Sequence, residues 1–211
     1  VGSQSYFDRR EVKDVLAFLK VLINPDDDIS LLRIANVPAR GLSAKTMQTL
    51  LQLSQDRNTS VWSVMRHSDL DTHLRAAASK SSRAFVSLIE DQRRFLKEEN
   101  KIGLAHWART FLDRIGYFTE LKHSEKDPKI AENRMQSAQE LVSSIDSLTA
   151  SMGSVKGEDR LNQFLEEIAL DQDRLDEKDK QGEGVTLITM HSCKGLEYPH
   201  VHIAGLEQGL L

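Results

Sequence analysis

The sequence predicts a mainly α-helical domain that passes, near its C-terminal end, into short β segments belonging to an α/β layer. Three observations predict it. Apolar residues recur at helical spacing through most of the 211 residues. Serine, aspartate, proline and glycine stand where helices begin and end. Strand-like runs occur only after a highly charged stretch that starts at Asp171.

The elements follow in order. From Arg10 to Ile23, Val12, Val15, Leu16, Leu19, Leu22 and Ile23 form one apolar stripe. Asn24-Pro25 stops that helix, because proline disfavours helical geometry in the residue before it. Asp26-Asp27-Asp28 then offers side-chain caps to the next helix, which is a better reading of these acids than a cation site. Leu31, Leu32, Ile34 and Val37 continue the apolar face up to Pro38. A tight connection, Arg40-Gly41-Leu42-Ser43, leads into a helix through Leu53 with Ser43 as its N-cap. Ser60 caps a short helix holding Trp62 and Met65. A long helix is expected over residues 72–97, with Ala84, Phe85, Leu88, Phe95 and Leu96 inward. Another runs from Leu104 to Ile115 and stops at Gly116, which accepts a left-handed backbone. Asp127-Pro128 starts the next, with Met135, Leu141, Val142, Ile145 and Leu148 buried. Gly153 and Gly157 bracket a turn, and Leu161, Phe164, Leu165 and Ile168 mark a further helix. Trp62 and Trp107 fall at inward positions and read as core. Residues 171–183 are almost all charged or polar and read as a solvated linker. Val185-Thr186-Leu187-Ile188-Thr189-Met190 reads as a short buried strand and Val201-His202-Ile203-Ala204-Gly205 as a second. Patterned sequence runs into both Val1 and Leu211, so the chain is expected to be a piece of a longer protein.

Composition narrows the function. A hydrophobic fraction of 39% supports one sizeable core, and no apolar run is long enough to span a bilayer. The single cysteine, Cys193, excludes an internal disulfide framework and suits a reducing cytoplasm. The net charge is -4, whereas a dedicated nucleic-acid module is usually basic. Any contact with DNA must therefore be local, made by backbone amides and a few cations.

Two long segments carry a family resemblance. The first is Tyr6-Phe7-Asp8-Arg9-Arg10-Glu11-Val12-Lys13-Asp14, followed by Asn24-Pro25-Asp26-Asp27-Asp28 and Leu32-Arg33-Ile34-Ala35-Asn36-Val37-Pro38. The second is residues 185–205, VTLITMHSCKGLEYPHVHIAG, which resembles helicase motif V. Together they resemble the UvrD, Rep and PcrA group of superfamily 1 DNA helicases. In that family two RecA-like motor domains, 1A and 2A, enclose ATP and carry inserts 1B and 2B. The resemblance implies that residues 1–10 end a 2A segment, 11–176 form the helical 2B insert, and 177–211 return to 2A. It implies a parent that is an ATP-dependent DNA helicase moving 3′ to 5′ in repair or replication restart. ATP and Mg2+ would serve that parent. Its partners would be single-stranded and duplex DNA, the remaining 1A, 1B and 2A domains, and accessory proteins in the cytoplasm.

Some parts of a motor are absent. No G-x-x-x-x-G-K-[ST] loop occurs, and Asp176-Glu177 sits in a polar stretch rather than after an apolar strand, as a magnesium-binding acid would. Phosphoryl transfer needs those groups together, so no catalytic residue is assigned and the chain alone is expected not to hydrolyse ATP.

The candidate contacts fall in two places. Around Thr189-Met190-His191-Ser192-Cys193-Lys194-Gly195-Leu196-Glu197 a strand gives way to a loop, which from spacing alone is a plain polar turn. The resemblance implies that Thr189, His191, Lys194 and Gly195 meet the single-stranded DNA backbone and that Glu197 accepts a hydrogen bond from the ATP ribose. At Arg40-Gly41-Leu42-Ser43-Ala44-Lys45-Thr46 a turn feeds a helix N-terminus, whose free N–H groups suit a phosphate. It is either a structural helix-turn-helix corner or a duplex contact through Arg40, Gly41, Ser43 and Lys45. The family has a glycine-hydrophobic-glycine hairpin here, and Ser43 replaces its second glycine. A nucleophilic role for Cys193 lacks a positioned base. A metal site of His191, Cys193, His200 and His202 lacks the close paired spacing of zinc ligands, so none is assigned. The rival reading of the whole chain is a non-catalytic helical protein-interaction domain.

Overall fold

The computed structural model describes residues 6–98, 103–149 and 156–180 (173–180 as backbone), with short pieces at 188–189, 193–195, 197–198 and 200–203. A 3-10 turn, Tyr6–Asp8, leads into α1, Arg10–Ile23. Then come α2, Asp28–Ile34; α3, Ala44–Asp56; α4, Val61–Arg66; and the single turn α5, Leu70–His73. The long α6, Ala76–Glu98, is followed by α7, Leu104–Arg114; α8, Tyr117–His123; α9, Pro128–Leu148; and α10, Gly157–Lys180. No strand occurs among the described residues, so the mainly α expectation is borne out.

α1 is the axis of the core. Its stripe is wider than the spacing suggested, because α2, α6, α9 and α10 all pack on it. Phe18 and Val21 are buried beside the expected Val12, Val15, Leu16, Leu19 and Leu22. Phe18 meets the rings of Phe111 at 5.9 Å and Tyr117 at 5.7 Å, both edge-on, the arrangement that ring quadrupoles favour. Trp62 and Trp107 are core residues, as read.

The helix starts are built as the sequence indicates. Asp27 accepts from Ser30 N at 3.1 Å, Ser60 from Ser63 N at 3.1 Å and Asp127 from Lys129 N at 2.8 Å. The three aspartates also join two helices. Asp28 Oδ1 accepts from Val61 N at 2.8 Å, and Asp26 accepts from the Ser60 hydroxyl, so one acidic run caps α2 and α4 together.

Several expectations are corrected. The helix expected from residue 72 starts at Ala76, because Leu74 is extended (φ -118°, ψ 155°) and 70–73 form the separate α5. Phe95 is 42% exposed and Ala84 is also exposed; both lie off the buried face set by Phe85, Val86, Ile89 and Leu96. The expected linker from Asp171 is instead the second half of α10, which runs through the expected domain boundary at 176 to Lys180. Glutamate, lysine, arginine and aspartate are compatible with a helix that Leu161, Phe164 and Ile168 already anchor. The strand expected over 185–190 lies mostly outside the described residues; Ile188 and Thr189 are irregular and exposed. Val201-His202-Ile203 is also irregular, with Val201 67% exposed, since no neighbouring strand among the described residues offers it a ladder.

One polar cluster lies inside the core. Asp14 is 3% exposed on α1. It accepts from Arg33 Nε of α2 at 2.7 Å and from the Tyr117 hydroxyl of α8 at 3.1 Å, with Arg10 Nε at 3.7 Å. Arg33 also donates to the Arg10 carbonyl at 3.2 Å. Burial first, and then the Asp14 charge, push the Tyr117 hydroxyl well above the usual tyrosine range, so it remains a donor. Asp14→Ala leaves Arg33 and Tyr117 without their acceptor. It should cost about 2–4 kcal/mol, below the usual range for a broken buried pair because Arg33 keeps access to water. Tyr117→Phe leaves the ion pair intact and should cost about 1 kcal/mol. Urea unfolding of both variants checks this, and equal losses would contradict it.

Candidate nucleic-acid interface

The corner between α2 and α3 is held from within. Asn36 Oδ1 accepts from two backbone amides, Arg40 N at 2.9 Å and Leu42 N at 3.1 Å. Leu42 is fully buried and pins the middle of the turn. Gly41, between those two amides, has φ +84°. A Cβ there would stand 2.9 Å from Ser81 Oγ of α6, so backbone geometry and space both require glycine. The Ser43 hydroxyl accepts from Thr46 N at 3.2 Å and lies 3.0 Å from Thr46 Oγ1, which caps α3 as expected. Gly41, Ser43, Ala44 and Lys45 are all exposed. Their amides make no hydrogen bond among the described residues; for Ala44 and Lys45 this is expected of the open first turn of α3.

Arg40 departs from the sequence expectation of a free cation. Its Nη2 donates to the Val37 carbonyl at 2.8 Å and its Nη1 to the Ile34 carbonyl at 3.4 Å. The guanidinium lies over the Phe85 ring, 5.0 Å from its centroid. Desolvation lowers its pKa to about 10, so it stays charged at neutral pH. Two carbonyls and a π face hold that charge inward, and Arg40 braces the corner on α6. The outward cation of the turn is Lys45.

The second candidate place is thinly described. Thr189, Lys194, Gly195 and Glu197 are exposed apart from the half-buried Lys194 neighbour Cys193. Cys193 N donates to the Thr189 carbonyl at 3.0 Å, and Cys193, Lys194 and Gly195 form a turn in which Gly195 has φ +88°. His191 lies outside the described residues. His200 and His202 are exposed, and no group of three metal-ligating side chains gathers among the described residues.

Sequence reasoning missed Asn36, Phe85 and Ser81 as parts of the corner. Asn36 was legible in principle, because asparagine side chains commonly bind backbone amides a few residues on. Phe85 and Ser81 were not, since only the packing of α6 brings them there.

Comparison with known proteins decides the family. The UvrD-like helicase C-terminal domain matches residues 1–211. This chain belongs to that family. Among its relatives, the ATP-dependent DNA helicase PcrA of Bacillus subtilis (strain 168) is 33% identical over 215 residues, covering 100% of this chain and 28% of the relative. The ATP-dependent DNA helicase Rep of Salmonella typhimurium is 32% identical over 212 residues, covering 100% of this chain and 31% of the relative. This UvrD-like chain thus spans under a third of the length of those relatives.

The corner of the UvrD-like domain is testable apart from any ligand. Gly41→Ala must hold an L residue in a left-handed conformation and press on Ser81. It should cost about 1–2 kcal/mol from the backbone alone, and adding Ser81→Ala, which removes the hydroxyl and keeps a good helix former in α6, should restore only the part due to contact. Denaturant midpoints of the single and double variants measure this; an unchanged midpoint for Gly41→Ala would contradict the geometry.

Proposed function

We propose that this chain is the duplex-facing piece of an ATP-dependent DNA helicase that moves 3′ to 5′ in repair or replication restart. Residues 11–176 act as the 2B insert, and residues 1–10 and 177–211 belong to the 2A motor domain. The observation that carries the reading is the α2–α3 corner, where Gly41, Ser43, Ala44 and Lys45 are exposed and their amides make no hydrogen bond among the described residues. Those groups suit a backbone phosphate, and none of them reads a base edge, so the contact is indifferent to sequence. Asn36 and Arg40 hold the turn, while Gly41, Ser43 and Lys45 meet the DNA.

Residues 189–197 contribute to the motor side of the same protein. Thr189, His191, Lys194 and Gly195 touch the single-stranded backbone, and the Glu197 carboxylate accepts a hydrogen bond from the ribose of ATP. A single exposed carboxylate fits a sugar hydroxyl. ATP with Mg2+ supplies the free energy for translocation, and the phosphate and metal contacts belong to residues of the 1A and 2A motor domains outside this sequence. The chain alone therefore does not turn over ATP. The whole protein works in the cytoplasm, with accessory repair or replication proteins as further partners; among the described residues no helix is long and apolar enough to cross a membrane.

Charge reversal at the corner tests the reading. Each neutralised phosphate adds about -0.9 to the slope of log affinity against log salt, so a few contacts give about -1 to -3. Wild-type chain should bind duplex weakly with that slope. Ser43→Glu with Lys45→Glu should nearly abolish binding and cost about 1 kcal/mol of stability, from loss of the Ser43 cap on α3, while the fold is kept. Equal duplex binding by the two proteins at two salt concentrations would contradict the proposal.

A further inference from the structure

The connection from α1 to α2, the helix α4 and the second half of α6 enclose a pocket of about 310 Å³ that contains none of the corner residues. Trp62 and Pro25, both buried, form its apolar part, and Asp26, Arg66, Glu90 and Arg93 supply its charges. Three of those four charges are engaged. Arg66 Nε pairs with Glu90 Oε1 at 2.9 Å, and Asp26 accepts from the Ser60 hydroxyl.

Arg93 is the exception. Its Nη1 is shielded from solvent without a hydrogen-bond partner, and no ion pair reaches the guanidinium among the described residues. A shielded donor with no acceptor is unfavourable, because water has been removed and nothing replaces it. Arg40 meets the same need with two carbonyls and the Phe85 ring. Around Arg93 the acceptors are already committed: Glu90, three residues earlier on α6, is held by Arg66, and Asp26 by Ser60. The pocket thus presents one cation that lacks an acceptor.

We infer that this pocket docks a carboxylate side chain, an aspartate or glutamate on an acidic segment of a partner protein, in the fork of the Arg93 guanidinium. A planar carboxylate accepts from two N–H groups of an arginine at once, in the geometry that makes such pairs strong. The ligand class follows from local charge. The lining carries two cations and two anions, and α1 ends at its edge, where Ile23 and Asn24 line the pocket and Pro25 has no N–H for the Val21 carbonyl. A DNA backbone brings a row of charges, which Asp26 and that negative helix end oppose. A single carboxylate brings one charge to the one cation without a partner. One ion pair open to water holds a free acid only weakly. The carboxylate therefore needs a polypeptide around it, to which the exposed Asn24, Ser63 and Arg66 at the rim offer polar contacts. The inference goes beyond the duplex reading of the corner and does not depend on it.

The test is titration of the isotope-labelled chain with a tetraglutamate peptide, followed at the Arg93 Nε–H signal, with sodium acetate and a short duplex as parallel probes. The peptide should move that signal to saturation. Arg93→Gln should weaken peptide binding about tenfold, the loss of one charge-assisted pair. Arg93→Lys should not restore it, since an ammonium has no fork. Arg94→Gln removes the neighbouring exposed cation, which lies off the pocket, and should bind within about twofold of wild type. If Arg93→Gln binds the peptide as wild type does, the inference is overturned; a lower denaturant midpoint for that variant would then assign Arg93 to steadying the end of α1. If Arg94→Gln loses as much as Arg93→Gln, the attraction is diffuse and the docking site is overturned. If acetate at the same carboxylate concentration binds as tightly as the peptide, the pocket takes free acids and the protein partner is overturned. If the duplex moves the Arg93 signal and the peptide does not, the ligand is nucleic acid and the inference falls.

Discussion

The fold turns on the buried carboxylate of Asp14. Asp14 sits on α1, against which α2, α6, α9 and α10 pack, and an isolated charge there is strongly unfavourable. It is held because Arg33 reaches in from α2 and Tyr117 from α8. That requirement fixes how α2 lies on α1, and α2 in turn delivers Asn36 to the place where it collects the amides of Arg40 and Leu42. The shape of the exposed corner thus follows from a bond made in the interior. α8 is tied to the same point, which explains why a helix of only 7 residues is firmly placed.

The corner divides its labour between inward and outward groups. Arg40 carries the stronger and more directional cation, yet the structure uses it as a brace over Phe85. The outward groups are amides, one hydroxyl and the Lys45 ammonium. A surface of this kind suits phosphate without a basic protein, which makes the proposed duplex contact compatible with a net charge of -4. It also keeps the attraction modest, and a modest contact releases easily.

Features written into adjacent residues were legible in the sequence. Ser43, Ser60 and Asp127 announce helix starts by chemistry that acts over two or three residues, and Gly116 (φ +79°) announces a stop. Features that depend on what packs from afar were not. α8 follows Gly116 without a loop and is too short for its periodicity to stand out. The charged half of α10 looks like a linker unless its anchor at Leu161, Phe164 and Ile168 is counted. Of the corner, Gly41, Ser43 and Lys45 were named correctly as an exposed turn and cap, whereas the inward aim of Arg40 depends on Phe85, more than forty residues away in sequence. The roles expected of residues 189–197 rest only on the resemblance to motif V, and part of that stretch lies outside the described residues.

The most direct measurement is an amide correlation spectrum of isotope-labelled chain, recorded as duplex DNA is added. The account predicts that the amide signals of Gly41, Ser43, Ala44 and Lys45 move first and furthest, while those of the interior helix α1 stay in place. Corner amides that do not move when the duplex binds, with shifts confined to other parts of the chain, would contradict it.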